Sequence, residues 1–400
     1  MTSSIFSSVE MAPRDPILGL TEAFNADPRP SRVNLGAGVY FDDDGKLPLL
    51  NAVKAVERSR LESLPSHGYL SIDGLGAYNR AVQAMLFGKD SPLLAEGRVA
   101  TVQTLGGTGA LKVGSDYLRR LLPNAVIYIS APSWENHQAI FEGSGFRVES
   151  YPYYDAATRG VDFAAMKRHL GTLPVGSVVV LHACCHNPTG ADLSVAEWRE
   201  LVEVFKAHSL VPFLDMAYQG FANGLDEDAA AIALFAASGM QCFVSTSYSK
   251  SFSLYGERVG ALSVVTASKD ESARVLSQLK RIIRSNYSNP PTHGAALVAA
   301  VLTSEELRQM WEGELAGMRE RIKHMRGSLV ERLAAAGASL DFSFIIRQHG
   351  MFSYTGLSAA QVVRLQEEFG VYAVQSGRIC VAALNTGNVD YVAKAIAAVL

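Results

Sequence analysis

The sequence predicts an α/β fold built on a mostly parallel central sheet, and three observations carry that prediction. Short β-rich apolar runs recur along the middle of the chain, several are apolar without a break, and helical patterns stand between them. Strands covered on both faces read as continuous apolar segments, and parallel neighbours need a crossover, usually a helix, to bring the chain back. At 400 residues the chain has room for more than one domain of roughly 100–200 residues.

In chain order the strand candidates are "RVATVQT" (98–104), "AVIYIS" (125–130), "SVVVLH" (177–182), "VPFLDMAY" (211–218), "QCFVSTS" (241–247) and "VGALSVV" (259–265). Helical stretches such as "TGALKVGSDYLRRLL" and "SVAEWRELVEVFKAH" separate them. Near residue 303 the pattern changes. Thr303 followed by Glu306 predicts a capping box. Leu307, Met310, Trp311, Leu315, Met318, Ile322, Met325 and Leu329 then recur at three- and four-residue spacing, which predicts a long amphipathic helix leading into a second, C-terminal domain. "DPRPS" (27–31) and "SNPPTHG" (288–294) read as ordered turns, and no internal repeat is evident.

Composition narrows the function classes. Lys and Arg number 36 against 39 Asp and Glu, a net charge of -3, which argues against a general nucleic-acid footprint while leaving room for a local anion site. The first residues, "MTSSIFSSVEMAPRD", lack a basic segment followed by an apolar one, so no signal peptide is expected. No apolar run reaches the ~18 residues of a membrane span. The cysteines (Cys184, Cys185, Cys242, Cys380) make no disulfide framework in so long a chain, and the reading is a soluble, reduced, cytoplasmic protein.

The candidate chemistry sits just past the predicted strands. "STSYSKSFSLYGERVG" (245–260) sets Lys250 among hydroxyls and aromatics, with Arg258 downstream. A lysine there loses hydration, so its amine either enters a salt bridge or serves as a neutral nucleophile. "QTLGGTGALKVG" (103–114) puts Gly106, Gly107 and Thr108 where backbone N–H groups can hold a phosphate, or where an ordinary strand–helix turn would sit. Its glycine spacing is not that of a dinucleotide fingerprint. Asp215 in "FLDMAYQGF" suits a cationic ring nitrogen, a ribose or a helix cap; Tyr218 follows it. Trp134 in "APSWENH" suits stacking on a planar ligand or core packing. In "LHACCHNPTGAD" the contiguous Cys184, Cys185 and His186 lack metal-ligand spacing, and no metal is expected. Asn187 and Pro188 read as a turn that aims an amide into the cleft.

Taken together, these segments resemble the fold-type I pyridoxal-phosphate aminotransferases of the aspartate and aromatic-amino-acid group. "APRDPILGL", "VNLGAGVY", "CCHNPTGAD", "DMAYQGF", "SYSKSFSLYGERVG", "RSNYSNPP", "GMFSYTGL" and "SGRICVAALNTGNV" carry the resemblance through nearly the whole chain. It implies a large domain with a mostly parallel sheet flanked by helices, and a smaller α/β domain made from both chain ends. The expected division is an N-terminal arm and part of the small domain at 1–45, the large cofactor-binding domain at 46–305, and the interdomain helix with the small domain at 306–400.

The resemblance also implies roles. Lys250 would hold pyridoxal 5'-phosphate as a Schiff base and then move the proton at Cα. Asp215 would pair with the pyridinium nitrogen, Tyr218 and Asn187 with the phenolic oxygen, and Trp134 would stack on the ring. Gly107, Thr108, Ser247 and Arg258 would hold the phosphate, with Tyr69 reaching it from the partner subunit of a homodimer. Arg378 would grip the substrate α-carboxylate and Arg284, from the other subunit, a distal carboxylate; Gly38 and Asn187 would line that pocket. The implied substrates are amino acids and 2-oxo acids, without nucleic acid or membrane. The flanks of the motifs lean toward the bacterial tyrosine/aromatic branch, "LSIDGLGAYN" toward the aspartate branch. The expectation is transamination of tyrosine and phenylalanine with 2-oxoglutarate, dicarboxylic substrates also being accepted, and aspartate transamination is the alternative. Two other classes compete. A nicotinamide dehydrogenase leaves Lys250 without a task, and a non-catalytic binding protein leaves Lys250, Asp215, Tyr218, Arg258 and Arg378 together without one.

Overall fold

The strand candidates pair into one sheet whose two faces are both covered. The structure is a computed structural model and describes residues 4–12 and 17–400; residues 13–16 of the "APRDPILGL" motif lie outside the described residues. The strands are β1 (Val99–Leu105), β2 (Val126–Ala131), β3 (Arg147–Pro152), β4 (Val178–His182), β5 (Val211–Met216), β6 (Cys242–Ser247) and β7 (Val259–Val265). They lie in the order β1-β7-β6-β5-β4-β2-β3. β7 runs antiparallel to both its neighbours, and the remaining pairs are parallel. Within β4, Val178 and Val180 join one apolar cluster while Val179 and Leu181 join the other. Successive side chains point to opposite faces, so two covered faces demand an unbroken apolar run.

β3 escaped the sequence reading for a physical reason. It is the sheet edge, and "RVESYP" carries Arg147 and Glu149 on a largely solvent-exposed strand. Charge on an edge strand discourages pairing with another chain, and it also hides the strand from an apolar search.

Helix α1 (Gly106–Leu121) starts directly from the end of β1. Its first residue has φ +69°, and a Cβ there would lie 2.6 Å from Arg258 Nη2. A Cβ on Gly260 of β7 would lie 2.3 Å from the Gly106 carbonyl carbon. Backbone packs on backbone here, and only glycine fits. The second named helical stretch forms α2 (Val195–His208), closed at its start by a capping box between Ser194 and Glu197. α3 (Lys269–Asn286) follows β7.

The long amphipathic helix is α4, Glu305–Ala335, 31 residues and about 46 Å at 1.5 Å per residue. Trp311, Leu315, Met318, Ile322, Met325 and Leu329 are buried as the periodicity requires, whereas Met310 is 40% exposed and lies off the stripe. The cap differs from the sequence expectation. Thr303 ends the preceding helix and its hydroxyl donates to Ala299 O at 2.7 Å, while Ser304 caps α4 by accepting from Leu307 N. A serine one residue later offers the same hydroxyl without the β-methyl, so the signal was real but displaced by one position.

Both chain ends meet in smaller sheets. Val33–Asn34 pairs in parallel with Val371–Tyr372, and Phe352–Tyr354 pairs antiparallel with Arg378–Cys380. Among the described residues no helix is long and apolar enough to cross a membrane.

Candidate active site

The carboxyl ends of β1, β2, β4, β5 and β6 open onto one cavity of about 250 Å³, the place where open α/β sheets bind ligands. Register explains what stands at its floor. His182 of β4 pairs with Asp215 of β5, and Asp215 with Ser245 of β6, so three polar residues form a row across three adjacent strands. Ser245 Oγ donates to Asp215 Oδ1 at 2.7 Å, and His137 Nε2 lies 2.9 Å from Oδ2. Ser133 Oγ is 3.0 Å from the other nitrogen of His137. Burial by itself would raise the Asp215 carboxyl, but the His137 hydrogen bond, the nearby His137 and His182 rings and the Ser245 hydroxyl hold it below the usual carboxylate range. His182 is also pushed down, to about 3, by burial and by its neighbour His137, and so stays neutral.

Lys250 follows β6 and lines the same cavity. Its ammonium is pushed down to about 8 by lost hydration and by Arg258, against the opposing pull of Asp215. Its Nζ lies 5.1 Å from the centroid of the Tyr218 ring. A lysine so placed is neutral in part at physiological pH, as a nucleophile must be. The pH dependence has a definite sign. The folded value lies below the unfolded one, so the neutral fraction grows as pH rises through about 8. Without cofactor, stability is correspondingly expected to rise with pH between about 8 and the ordinary lysine value, where the unfolded chain holds more protons. The capture rate of an aromatic aldehyde by Lys250 is expected to rise about tenfold per pH unit below the midpoint and to level off above it. Stopped-flow absorbance on cofactor-free protein checks this, and a rise that continues unabated to pH 10 would contradict it.

An anion cradle adjoins the lysine. Gly107 and Thr108 stand in the first turn of α1, where free N–H groups and the helix dipole favour negative charge. Ser247, Ser249 and Arg258 line the cavity beside them. A Cβ on Gly107 would come within 3.2 Å of Ser247 Cβ. Arg258 itself has φ +54° and is steadied by donating to Tyr255 O at 3.0 Å.

The same cavity holds a second cationic group. Arg378 is buried at 1% exposure, with Nη2 donating to Gly36 O at 2.6 Å and Nη1 to Asn187 Oδ1 at 3.2 Å. Its Nε is buried without a hydrogen-bond partner, and among the described residues no carboxylate pairs with it. A buried guanidinium with an unused donor is set up to receive a carboxylate. Phe352 stacks over it, ring centroid 4.4 Å from Cζ, and meets Tyr218 edge-on at 5.9 Å.

The expected residues Gly38, Gly107, Thr108, Trp134 and Asn187 thus line one cavity. Asp215, Tyr218, Ser247, Lys250, Arg258 and Arg378 line it with them. Tyr69 and Arg284 do not. Tyr69 is 97% exposed, and Arg284 points outward from α3 to Ser288. Sequence reasoning missed His137, Ser245, His182, Ser249 and Phe352. His137 stood in the quoted "APSWENH" one helical turn past Trp134, but nothing along the chain shows that it reaches a strand 78 residues away. In the cysteine segment, His186 spends both ring nitrogens on Ser130 and Thr189 at 2.8 Å and stacks on Tyr153.

Residues 30–396 match the family model of aminotransferase class I and II. The chain is 63% identical to an aspartate aminotransferase of Pseudomonas aeruginosa, over 99% of this chain and all of the relative. It is 53% identical to an aromatic-amino-acid aminotransferase of Escherichia coli, with the same coverage. Among solved structures, an aromatic-amino-acid aminotransferase from Burkholderia pseudomallei, covalently bound to pyridoxal phosphate, superposes with a TM-score of 0.97 at 65% identity over the full length of both chains.

Proposed function

Because the chain belongs to the class I and II aminotransferases, we propose that it moves the amino group of tyrosine and phenylalanine to 2-oxoglutarate, with dicarboxylic amino acids also accepted. The observation that carries the reading is the buried, partly unsatisfied Arg378 facing the same cavity as Lys250 and Asp215. A carboxylate clamp, a neutral amine and a buried anion are the groups that amino-group transfer from an α-amino acid requires.

The donor set fits pyridoxal 5'-phosphate: an anion cradle at Gly107, Thr108, Ser247 and Arg258, a carboxylate 5% exposed at Asp215, and a lysine held near neutrality between them. When bound, that cofactor supplies an aldehyde carbon and a cationic ring that withdraws electrons from the substrate's Cα. Lys250 would be its covalent attachment point and, as a free amine, the base for the Cα proton. Asp215 keeps the ring nitrogen protonated, with His137 and Ser245 holding the carboxylate ionised and oriented. Tyr218 and Asn187 would donate to the ring oxygen, and Trp134 would cover the ring. Arg378 holds the α-carboxylate in its charged form, which opposes loss of carbon dioxide and leaves the Cα–H bond as the one to break. The Trp134, Leu111, Ile17 and Phe352 side chains along the cavity support an aromatic substrate.

Aspartate transamination is the second reading, favoured by the 63% identity to an aspartate aminotransferase. Comparison of kcat/KM for phenylalanine, tyrosine and aspartate separates the two. The aromatic donors are expected to be at least equal to aspartate. A preference for aspartate beyond about tenfold, ~1.4 kcal/mol in transition-state binding, would reassign the enzyme.

The active form is a homodimer with shared sites, in the cytoplasm. Exposed Leu47, Leu49, Leu61 and Leu64, in the segment that leads to the exposed Tyr69, support a face covered by a partner. Asn289 Nδ2 donates to Leu70 O at 3.0 Å and Lys280 pairs with Asp73 at 3.2 Å, which ties the Tyr69 segment to that of Arg284. Both residues therefore lie on one side of the subunit, as donors to a neighbour's site must. The domain division at 45/46 and 305/306 is supported by the pairing of the two chain ends and by the start of α4. Mixing Arg284→Ala with Lys250→Ala protein tests the sharing. Heterodimers carry one intact and one doubly damaged site, so random exchange should restore roughly a quarter of the dicarboxylate activity. A mixture no better than its parents, after verified exchange, would place both residues in one chain's site.

A further inference from the structure

Arg326 is the second buried guanidinium among the described residues, and it lies outside the cavity. It stands on the inner face of α4, one turn past Ile322, and is 2% exposed. A solvated arginine would be the ordinary reading of "HMRGS", yet this one donates to four backbone carbonyls of a single stretch. Nη1 reaches Ile345 O at 3.2 Å; Nη2 reaches His349 O at 3.2 Å, Gly350 O at 2.7 Å and Phe352 O at 2.5 Å. Burial lowers it only to about 10, so it remains charged at neutral pH. A buried cation satisfied by carbonyls alone is costly to keep, and a methionine would fill the space. What the cation adds is a fixed geometry for the chain that wraps it.

That chain is the wall of the substrate pocket. His349 N donates to Gly190 O at 2.7 Å, and a Cβ on Gly190 would lie 2.8 Å from Phe352 O, so the segment is wedged between α4 and the turn that carries Asn187. The carbonyl of Phe352 is held by Arg326 while its ring lies over Arg378, and a Cβ on Gly38 would come within 3.0 Å of the ring edge. We propose that Arg326 is a positioning residue for the carboxylate clamp: by fixing the Phe352 backbone it sets the ring against Arg378, and so sets the affinity of the site for a substrate α-carboxylate. The inference rests on Arg378 binding that carboxylate.

Holoprotein variants Arg326→Gln and Arg326→Lys test it with two probes. 3-Phenylpropionate keeps the carboxylate and ring of phenylalanine but has no amine to react, so calorimetry reads binding alone. 2-Phenylethylamine lacks the carboxylate, and the rate at which it alters the visible absorption reports the remainder of the site. Arg326→Gln is expected to weaken 3-phenylpropionate roughly ten- to a hundredfold, the size of lost hydrogen bonds to a charged group. Arg326→Lys should recover part of that loss. The 2-phenylethylamine rate should stay within about twofold, and for phenylalanine KM should rise with kcat within about threefold. In an Arg378→Lys background, Arg326→Gln should add little. Unchanged 3-phenylpropionate binding, or equal losses on both probes, would overturn the role of Arg326. If Arg378→Lys alone binds 3-phenylpropionate as tightly as the parent protein, the clamp itself is misassigned and the inference falls with it. Should the glutamine variant not fold, the lysine variant carries the same comparison.

Discussion

Lys250→Ala protein is expected to fold, to bind pyridoxal phosphate without covalent attachment, and to turn over roughly 10⁴-fold more slowly or worse. The size follows from two tasks meeting in one atom. Nζ is the amine whose protonation midpoint burial has brought to about 8, with the opposing influences of Asp215 and Arg258 both felt there. Removing it would delete the proposed attachment point and proton carrier together, and among the described residues no second lysine lines the cavity. The anion cradle and the Asp215 anchor are untouched, so binding should persist. Absorbance titration with pyridoxal phosphate, beside steady-state rates, checks both halves. A variant that retains more than about a hundredth of the parent kcat would show that another group moves the proton, since one positioned acid–base group is worth 10²–10⁴.

Asp215→Asn should keep the fold and lose roughly 10²–10⁴ in kcat, because shape is preserved and charge is not. The buried carboxylate of the parent accepts from Ser245 and stands against His137. A neutral amide there cannot keep a cationic ring nitrogen protonated. A cofactor analogue methylated on that nitrogen carries its charge permanently and should restore part of the rate. Full occupancy by the analogue with no recovery would remove Asp215 from this role. The pH dependence has the same sign as that of Lys250 but falls in a far more acidic window. Asp215 titrates below the ordinary carboxylate range, so its contribution is complete above that range and disappears only as the pH falls through the lowered value. The acid limb of the rate near pH 8 should therefore be unchanged by His137→Asn and absent from any assay that bypasses Lys250.

How much of this was legible in the chain differs from residue to residue. The inner strands announced themselves because burial on both faces leaves no room for polar alternation, whereas β3 with Arg147 and Glu149 carries the signature of an exposed loop. Lys250, Asp215 and Asn187 were readable because each sits just past, or near the carboxyl end of, a strand, whereas Arg378, which opens a short strand, was readable only through the family resemblance of "SGRIC". Their supports were not. His137 and Ser245 reach Asp215 across the sheet, and Arg326 reaches Phe352 from a helix on which an arginine ordinarily faces water. Such contacts are set by register and packing, which the order of residues along one chain does not display. Tyr69 and Arg284 lie away from the cavity, so local pattern alone assigns them nothing.

The most direct test of the account is where the cofactor becomes attached. Holoprotein reduced with borohydride, digested and mapped by mass spectrometry should yield one pyridoxyl-modified peptide, and the modified residue should be the lysine of "STSYSKSFS", Lys250. Pyridoxyl carried on any other lysine would contradict the reading of the buried amine, and with it the roles assigned around it.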